Sequence, residues 1–266
     1  MTATEANPYA QIKSYERAEF DRLGRYLEAL DADGWVEQSY CTDWLVYQVV
    51  SHIGSGSRIG AMRVNAWVNG GAPVGREVMQ GVWGLFDSLG PGQMFSAFSD
   101  AAGQYLATED ATPDSAGVLE VDGFAGHRPL AVYQLARVWE LASHSWDVYV
   151  ARDRSARLDR DAVALLAAGM QHINLPLDKE RGAALSQKPV VFRLLDSGTA
   201  YMLDPTTERP RLQPGETSDA PLVVEGPDEE VVRFLSGRHY VPGATPRLKV
   251  VTGSPQDLAN LRRAFR

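Results

Sequence analysis

The segment from Leu130 to Val150 constrains the chain more than any other. It is apolar on almost every side of a helix, through Val132, Leu135, Val138, Trp139, Leu141, Trp146, Val148 and Val150. A helix of that texture is buried on all faces, so the rest of the chain has to wrap it. Its polar residues Arg137, Glu140, His144 and Asp147 recur at steps of three and four, which places them on one stripe. Glu140 and His144 lie one turn apart on that stripe. A carboxylate and an imidazole at this spacing can close on one divalent cation, and a buried carboxylate is costly without a partner or a metal. The bland alternative is a solvated helix face, which is what a Glu and a His at this spacing most often form.

A third donor is available on another helical stretch. This stretch begins after Cys41-Thr42-Asp43, where Thr42 or Asp43 could cap it, and runs to Trp67. His52 falls on its apolar arc with Leu45, Val49 and Ile59. A satisfied core histidine is the competing reading of His52. Gly54-Ser55-Gly56-Ser57 follows at once. Each helical Gly costs about 1 kcal/mol against Ala, so the run implies close helix approach or room for a ligand. Two histidines and a carboxylate leave a coordination position open, as catalytic zinc sites do. The single cysteine, Cys41, excludes a cysteine-rich structural site and an internal disulfide framework.

Further periodic segments complete a bundle: Gln11 to Leu30, Gln93 to Leu106 and Leu158 to Ile173, with a short helical piece at Glu77 to Leu89 in a Gly-rich connection. An extended piece covers Val118 to Val121, and Pro129 stands at the opening of the greasy helix. The texture changes around Asn174 to Pro189. Beyond it, period two dominates: strands at Val190 to Leu195, Ala200 to Leu203, Pro221 to Glu225 and Arg247 to Val251, with helices at Asp228 to Ser236 and Pro255 to Phe265. The fold class expected is α+β, a four-helix bundle over residues 1–175 followed by a small α+β domain over residues 186–266.

Charge bounds the partners. Thirty-four acidic against 26 basic residues give a net charge of −8, with no basic stripe for nucleic acid. No apolar run is long enough for a membrane span, and Met1 to Phe20 has no apolar signal core. A cytoplasmic protein, monomer or homodimer, acting on a small molecule is expected.

Two stretches carry a family resemblance. Thr42-Asp43-Trp44-Leu45-Val46-Tyr47-Gln48-Val49-Val50-Ser51-His52 and Arg137-Val138-Trp139-Glu140-Leu141-Ala142-Ser143-His144-Ser145-Trp146-Asp147 resemble the two motifs of the mycothiol-dependent maleylpyruvate isomerase family, which has a DinB-like N-terminal domain. The tail, Ala220 to Pro227 and Phe234 to Arg238, is similar to that family's small C-terminal domain. Asp43 stands where the family usually has Gly. The resemblance implies zinc, or another divalent metal, on His52, Glu140 and His144. It also implies mycothiol as thiol co-substrate, and isomerisation or S-transfer on a small electrophile. For a carboxylate-bearing substrate Arg238 is the candidate clamp, since a guanidinium fork suits a carboxylate; a surface arginine is the alternative. Asp147 is a candidate partner for a ligand imidazole, and Arg137 a candidate to orient Glu140 or Asp147. His127, just before the greasy helix, could reach the mouth of the site, the alternative being an incidental loop histidine; His172 and His239 are assigned no role. A metal-dependent hydrolase and a non-catalytic binding protein are the competing functions.

Overall fold

A computed structural model describes residues 7–123, 126–175, 177, 189–204, 211–239, 241 and 247–265. The chain forms two compact units, Met1–Ala156 and Arg157–Arg266. The division therefore falls before the helical segment that begins near Leu158, which sequence periodicity assigned to the bundle. The linker expected at 176–185 lies almost wholly outside the described residues.

The first unit is a bundle of four long helices: α1 (Tyr9–Glu28), α3 (Val46–Val68), α5 (Pro91–Ala111) and α6 (Leu130–Arg152). They pack in a ring, α1 on α5, α5 on α3, α3 on α6 and α6 on α1. Two shorter helices, α2 (Ala32–Trp35) and α4 (Arg76–Asp87), flank α3. A hairpin of β1 (Glu120–Gly123) and β2 (Gly126–Pro129) leads into α6. As the apolar pattern requires, α6 is buried nearly throughout, with Leu130, Val138, Leu141, Trp146 and Val148 almost wholly inaccessible.

The small residues of α3 serve close approach. A Cβ added at Gly54 would lie 2.6 Å from the Phe86 ring of α4, one at Gly56 2.9 Å from the Arg137 guanidinium, and one at Gly60 3.0 Å from Tyr105. The start of α3 corrects the expected cap. Neither Thr42 nor Asp43 caps it; the N-cap is Leu45, and Gln48 reaches back to accept from the Leu45 N–H at 2.8 Å. The preceding loop is held by Gln38, whose amide donates to the carbonyls of Cys41 and Trp44.

The second unit holds a five-stranded sheet in the order β5-β4-β3-β6-β7. Its strands are β3 (Val190–Leu194), β4 (Thr199–Leu203), β5 (Leu212–Pro214), β6 (Leu222–Gly226) and β7 (Lys249–Thr252). β3 and β6 run parallel at its centre and the other pairs are antiparallel. The central strands are buried on both faces, which is why they read as near-continuous apolar runs. Among the described residues three α-helices belong to this unit: α7 (Arg160–Gly169), α8 (Asp228–Leu235) and α9 (Pro255–Ala264). Among the described residues no helix is long and apolar enough to cross a membrane.

Candidate metal centre

Two helices of the bundle bring the three expected donors to one point. α6 presents Glu140 and His144 from successive turns, and α3 presents His52 opposite them. His52 Nε2 lies 3.0 Å from Glu140 Oε2, and His144 Nε2 lies 3.4 Å from the same oxygen. The two imidazole rings meet edge to face with centroids 4.6 Å apart. Trp44, delivered by the loop before α3, flanks both rings at 5.2 and 6.0 Å.

The electrostatics of the trio follow from these contacts. Burial opposes a charge on Glu140, but hydrogen bonds from His144 and His52 outweigh it and hold the carboxyl well below its ordinary range. Burial likewise opposes a charge on His144, yet Asp147, Cys41 and Glu140 together hold its imidazole well above the ordinary value. Exposure is graded across the group. The His144 side chain is 14% exposed, while His52 and Glu140 are 38% and 45% exposed. One side of the cluster is therefore open.

The donor set fits a divalent cation. One ring nitrogen of His52, one of His144 and an oxygen of Glu140 all lie within 4.8 Å of one another. His144 Nδ1 donates to Asp147 Oδ2 at 2.9 Å. With Nδ1 held there, a cation that displaced the Nε2 proton would meet the Nε2 lone pair, the arrangement usual behind a metal-ligating imidazole. Asp147 is fully buried. Its Oδ2 also accepts from Cys41 Sγ at 3.1 Å. Asp147→Asn is thus expected to leave the fold intact and weaken zinc binding by roughly 10- to 100-fold, read by competition with a chromogenic chelator.

Arg137 goes elsewhere. Its guanidinium donates to Ser57 Oγ at 3.3 Å and lies 5.5 Å from the Tyr105 ring centroid, away from the Glu140 and Asp147 carboxylates it was expected to orient. Arg238 belongs to the second unit. It follows Gly237, whose φ of +81° ends α8, and its guanidinium donates to the Ser236 carbonyl at 2.6 Å. His127 is exposed on the hairpin. His239 stacks on Phe234 at 4.8 Å, and burial pushes its pKa down to about 4.

Sequence reasoning missed two features. Cys41 was set aside as unable to complete a cysteine site, yet it contacts Asp147 and stands 4.0 Å from His144 Nδ1. A cavity of about 400 Å³ also opens beside His52 and Trp44, walled by Ser51 of α3 and by Trp83, Phe86 and Asp87 of α4. The only signal for it was the Gly54–Ser57 run, which lets α4 close on α3.

Fold and donor set together define a helical-bundle protein with an open two-histidine, one-carboxylate constellation, joined to a small α+β unit. The family profile described as the mycothiol maleylpyruvate isomerase N-terminal domain matches residues 17–149, and the chain belongs to that family. The chain is similar over 96% of its length to the crystal structure of the mycothiol-dependent maleylpyruvate isomerase, covering 97% of that chain, with a TM-score of 0.67 and 17% identity. A histidine-to-alanine mutant of that enzyme is similar at a TM-score of 0.66, with the same identity and coverage. At such identity the likeness is one of fold. No curated protein sequence matches the chain.

Proposed function

We propose that the chain is an enzyme that binds a divalent cation, zinc in the first instance, on His52, Glu140 and His144, and uses mycothiol to isomerise or S-conjugate a small electrophile. The observation that carries this reading is the convergence of three donors from α3 and α6 on one point with an open side. When bound, the cation supplies Lewis acidity that lowers the pKa of a thiol, so that thiolate is available near neutral pH.

The chain's own residues do the rest. Asp147 holds the His144 ring in register, and Cys41 shares that carboxylate. Trp44 covers the imidazole pair, limiting water on that side. The cavity beside His52 offers space for a reactant next to the cluster. Addition of a thiolate to one carbon of a cis double bond leaves a single bond free to rotate, and elimination returns the thiol with a trans product. In S-transfer the adduct departs instead.

Turnover of a cis-enedioate electrophile, followed in the ultraviolet with and without mycothiol, tests the reading. Mycothiol-dependent turnover that a chelator abolishes and zinc restores is expected. Equal turnover without any thiol would overturn it in favour of a metal-dependent hydrolase. Stoichiometric absence of metal after expression in zinc-rich medium would overturn it in favour of a binding protein.

A further inference from the structure

His144 belongs to two groups of donors at once. Its Nε2 faces Glu140 and His52, while its Nδ1, on the other edge of the ring, faces Asp147 and Cys41. A ring nitrogen of His144, the Cys41 sulfur and an Asp147 oxygen lie within 4.8 Å of one another, as the donors of the first group do. The edges of this second triangle are 2.9 Å from Nδ1 to Asp147 Oδ2, 3.1 Å from Cys41 Sγ to the same oxygen, and 4.0 Å from Sγ to Nδ1. A tetrahedral ion with bonds of about 2.0–2.3 Å holds such donors about 3.3–3.6 Å apart, so shifts of about half an ångström close the triangle on one.

The chain keeps Cys41 in this place by bonds that do not involve the thiol. The Tyr40 N–H donates to the Asp147 carbonyl at 3.3 Å, and the Tyr40 ring meets Trp146 edge to face with centroids 4.9 Å apart. The Gln38 amide donates to the Cys41 carbonyl at 2.9 Å. Asp147 is fully buried and Cys41 half-buried, so the triangle is reached from the thiol side. Thiolate, imidazole and carboxylate make a softer and more anionic set than two imidazoles and a carboxylate, and sulfur selects zinc-like and softer ions over magnesium or calcium.

We propose that Cys41, His144 Nδ1 and Asp147 form a second metal site, for a thiophilic dication such as zinc, cobalt or cadmium. On loading, the thiol proton and the Nδ1 proton leave to solvent as one dication enters, so net charge is conserved and no electron moves. With the first site filled, the ring bridges two ions. The His52 group loads first, because it gives up no thiol proton. The second ion then enters against the charge of the first across one imidazole, which weakens it by about a hundredfold. Where the functional reading above holds, an ion on Nδ1 draws donor strength from Nε2, and metal in excess is inhibitory. The site itself does not rest on that reading.

Anaerobic cobalt titration of the metal-free full chain tests the proposal. Cys41 is the single cysteine, so a thiolate-to-cobalt charge-transfer band reports it alone. The first equivalent is expected to give visible bands only, and the second, about a hundredfold weaker, to add the thiolate band. Cys41→Ser stops at one equivalent with circular dichroism unchanged. In His52→Ala the weak binding that remains shows the thiolate band from its first ion. A measurement without substitution runs beside these: iodoacetamide labelling of Cys41, read by mass spectrometry, slows at least tenfold with the second equivalent and not with the first. Saturation at one ion without the band, a second ion bound without it, or labelling indifferent to the second equivalent each overturn the proposal. A band that arrives with the first equivalent leaves this site standing and counts against the His52 group. Absence of mycothiol-dependent turnover with the two-step spectrum intact sinks the functional reading alone.

Discussion

The His52→Ala variant is expected to fold normally and to lose at least a hundredfold in zinc affinity. The imidazole is 38% exposed, so its removal opens no core cavity. Its loss leaves Glu140 and His144 as a two-donor remnant on α6. Zinc sites of four protein ligands are worth roughly 10–16 kcal/mol, or about 3 kcal/mol per ligand, which corresponds to a factor of roughly a hundred. Metal content after dialysis against a weak chelator, beside the thermal melt, is the measurement. A variant that keeps one zinc per chain would remove His52 from the site, and with it the second helix on which the proposed chemistry depends.

The second large effect is on stability and lies deeper in the bundle. Glu16 of α1 is wholly inaccessible, and Tyr105 of α5 donates to its two oxygens at 3.0 and 2.9 Å. Gln134 of α6 donates to the Tyr105 oxygen and to Glu109 of α5, both at 2.7 Å. Burial and the nearby Glu109 carboxylate push the Glu16 pKa up to about 8, against the pull of Arg137 and the Tyr105 hydrogen bond. Between the ordinary carboxyl value and pH 8 the folded chain therefore holds a proton that the unfolded chain has released. Stability falls as pH rises through that window, by up to about 1.4 kcal/mol per pH unit for one such group. Glu16→Gln keeps a hydrogen-bonding amide and removes the titration. At pH 8 the variant is expected to be more stable than the parent by about 2–4 kcal/mol, the difference closing toward pH 5. Urea unfolding at pH 5, 6.5 and 8 reads this, and the metal-site residues cancel in the comparison. Parallel stability curves for parent and variant would refute it.

These two predictions also mark what the sequence made legible. Glu140 and His144 could be read because an i, i+4 spacing is set by the helix itself and their flanks are too apolar for a solvent face. His52 needed only the ordering of two helices in one bundle. Glu16 and Glu109 could not be found this way. Glu16 lies between Tyr15 and Phe20 on a helix that reads as ordinarily amphipathic, and its burial is fixed by Tyr105 and Gln134, which are 89 and 118 residues away in the chain. Cys41 and Trp44 reach the cluster through a loop shaped by the Gln38 amide, and such bonds leave no periodicity. β5 was missed because three residues ending in a proline carry no alternation. The position of α7 in the second unit was equally hidden, since a helical pattern says nothing about which core its apolar face will join.

Two of the three donors sit on a single rod and the third on its neighbour. A cation shared between them would act as a cross-brace whose length is set by the coordination radius, about 2.0–2.1 Å per nitrogen for zinc. Swapping zinc for a larger ion such as cadmium would then be felt as a small outward step of α3, carrying the Gly54 contact with Phe86 along with it. Ion size and the gap between α3 and α4 would be mechanically geared, so the choice of metal would also trim the room available to whatever lies beside it.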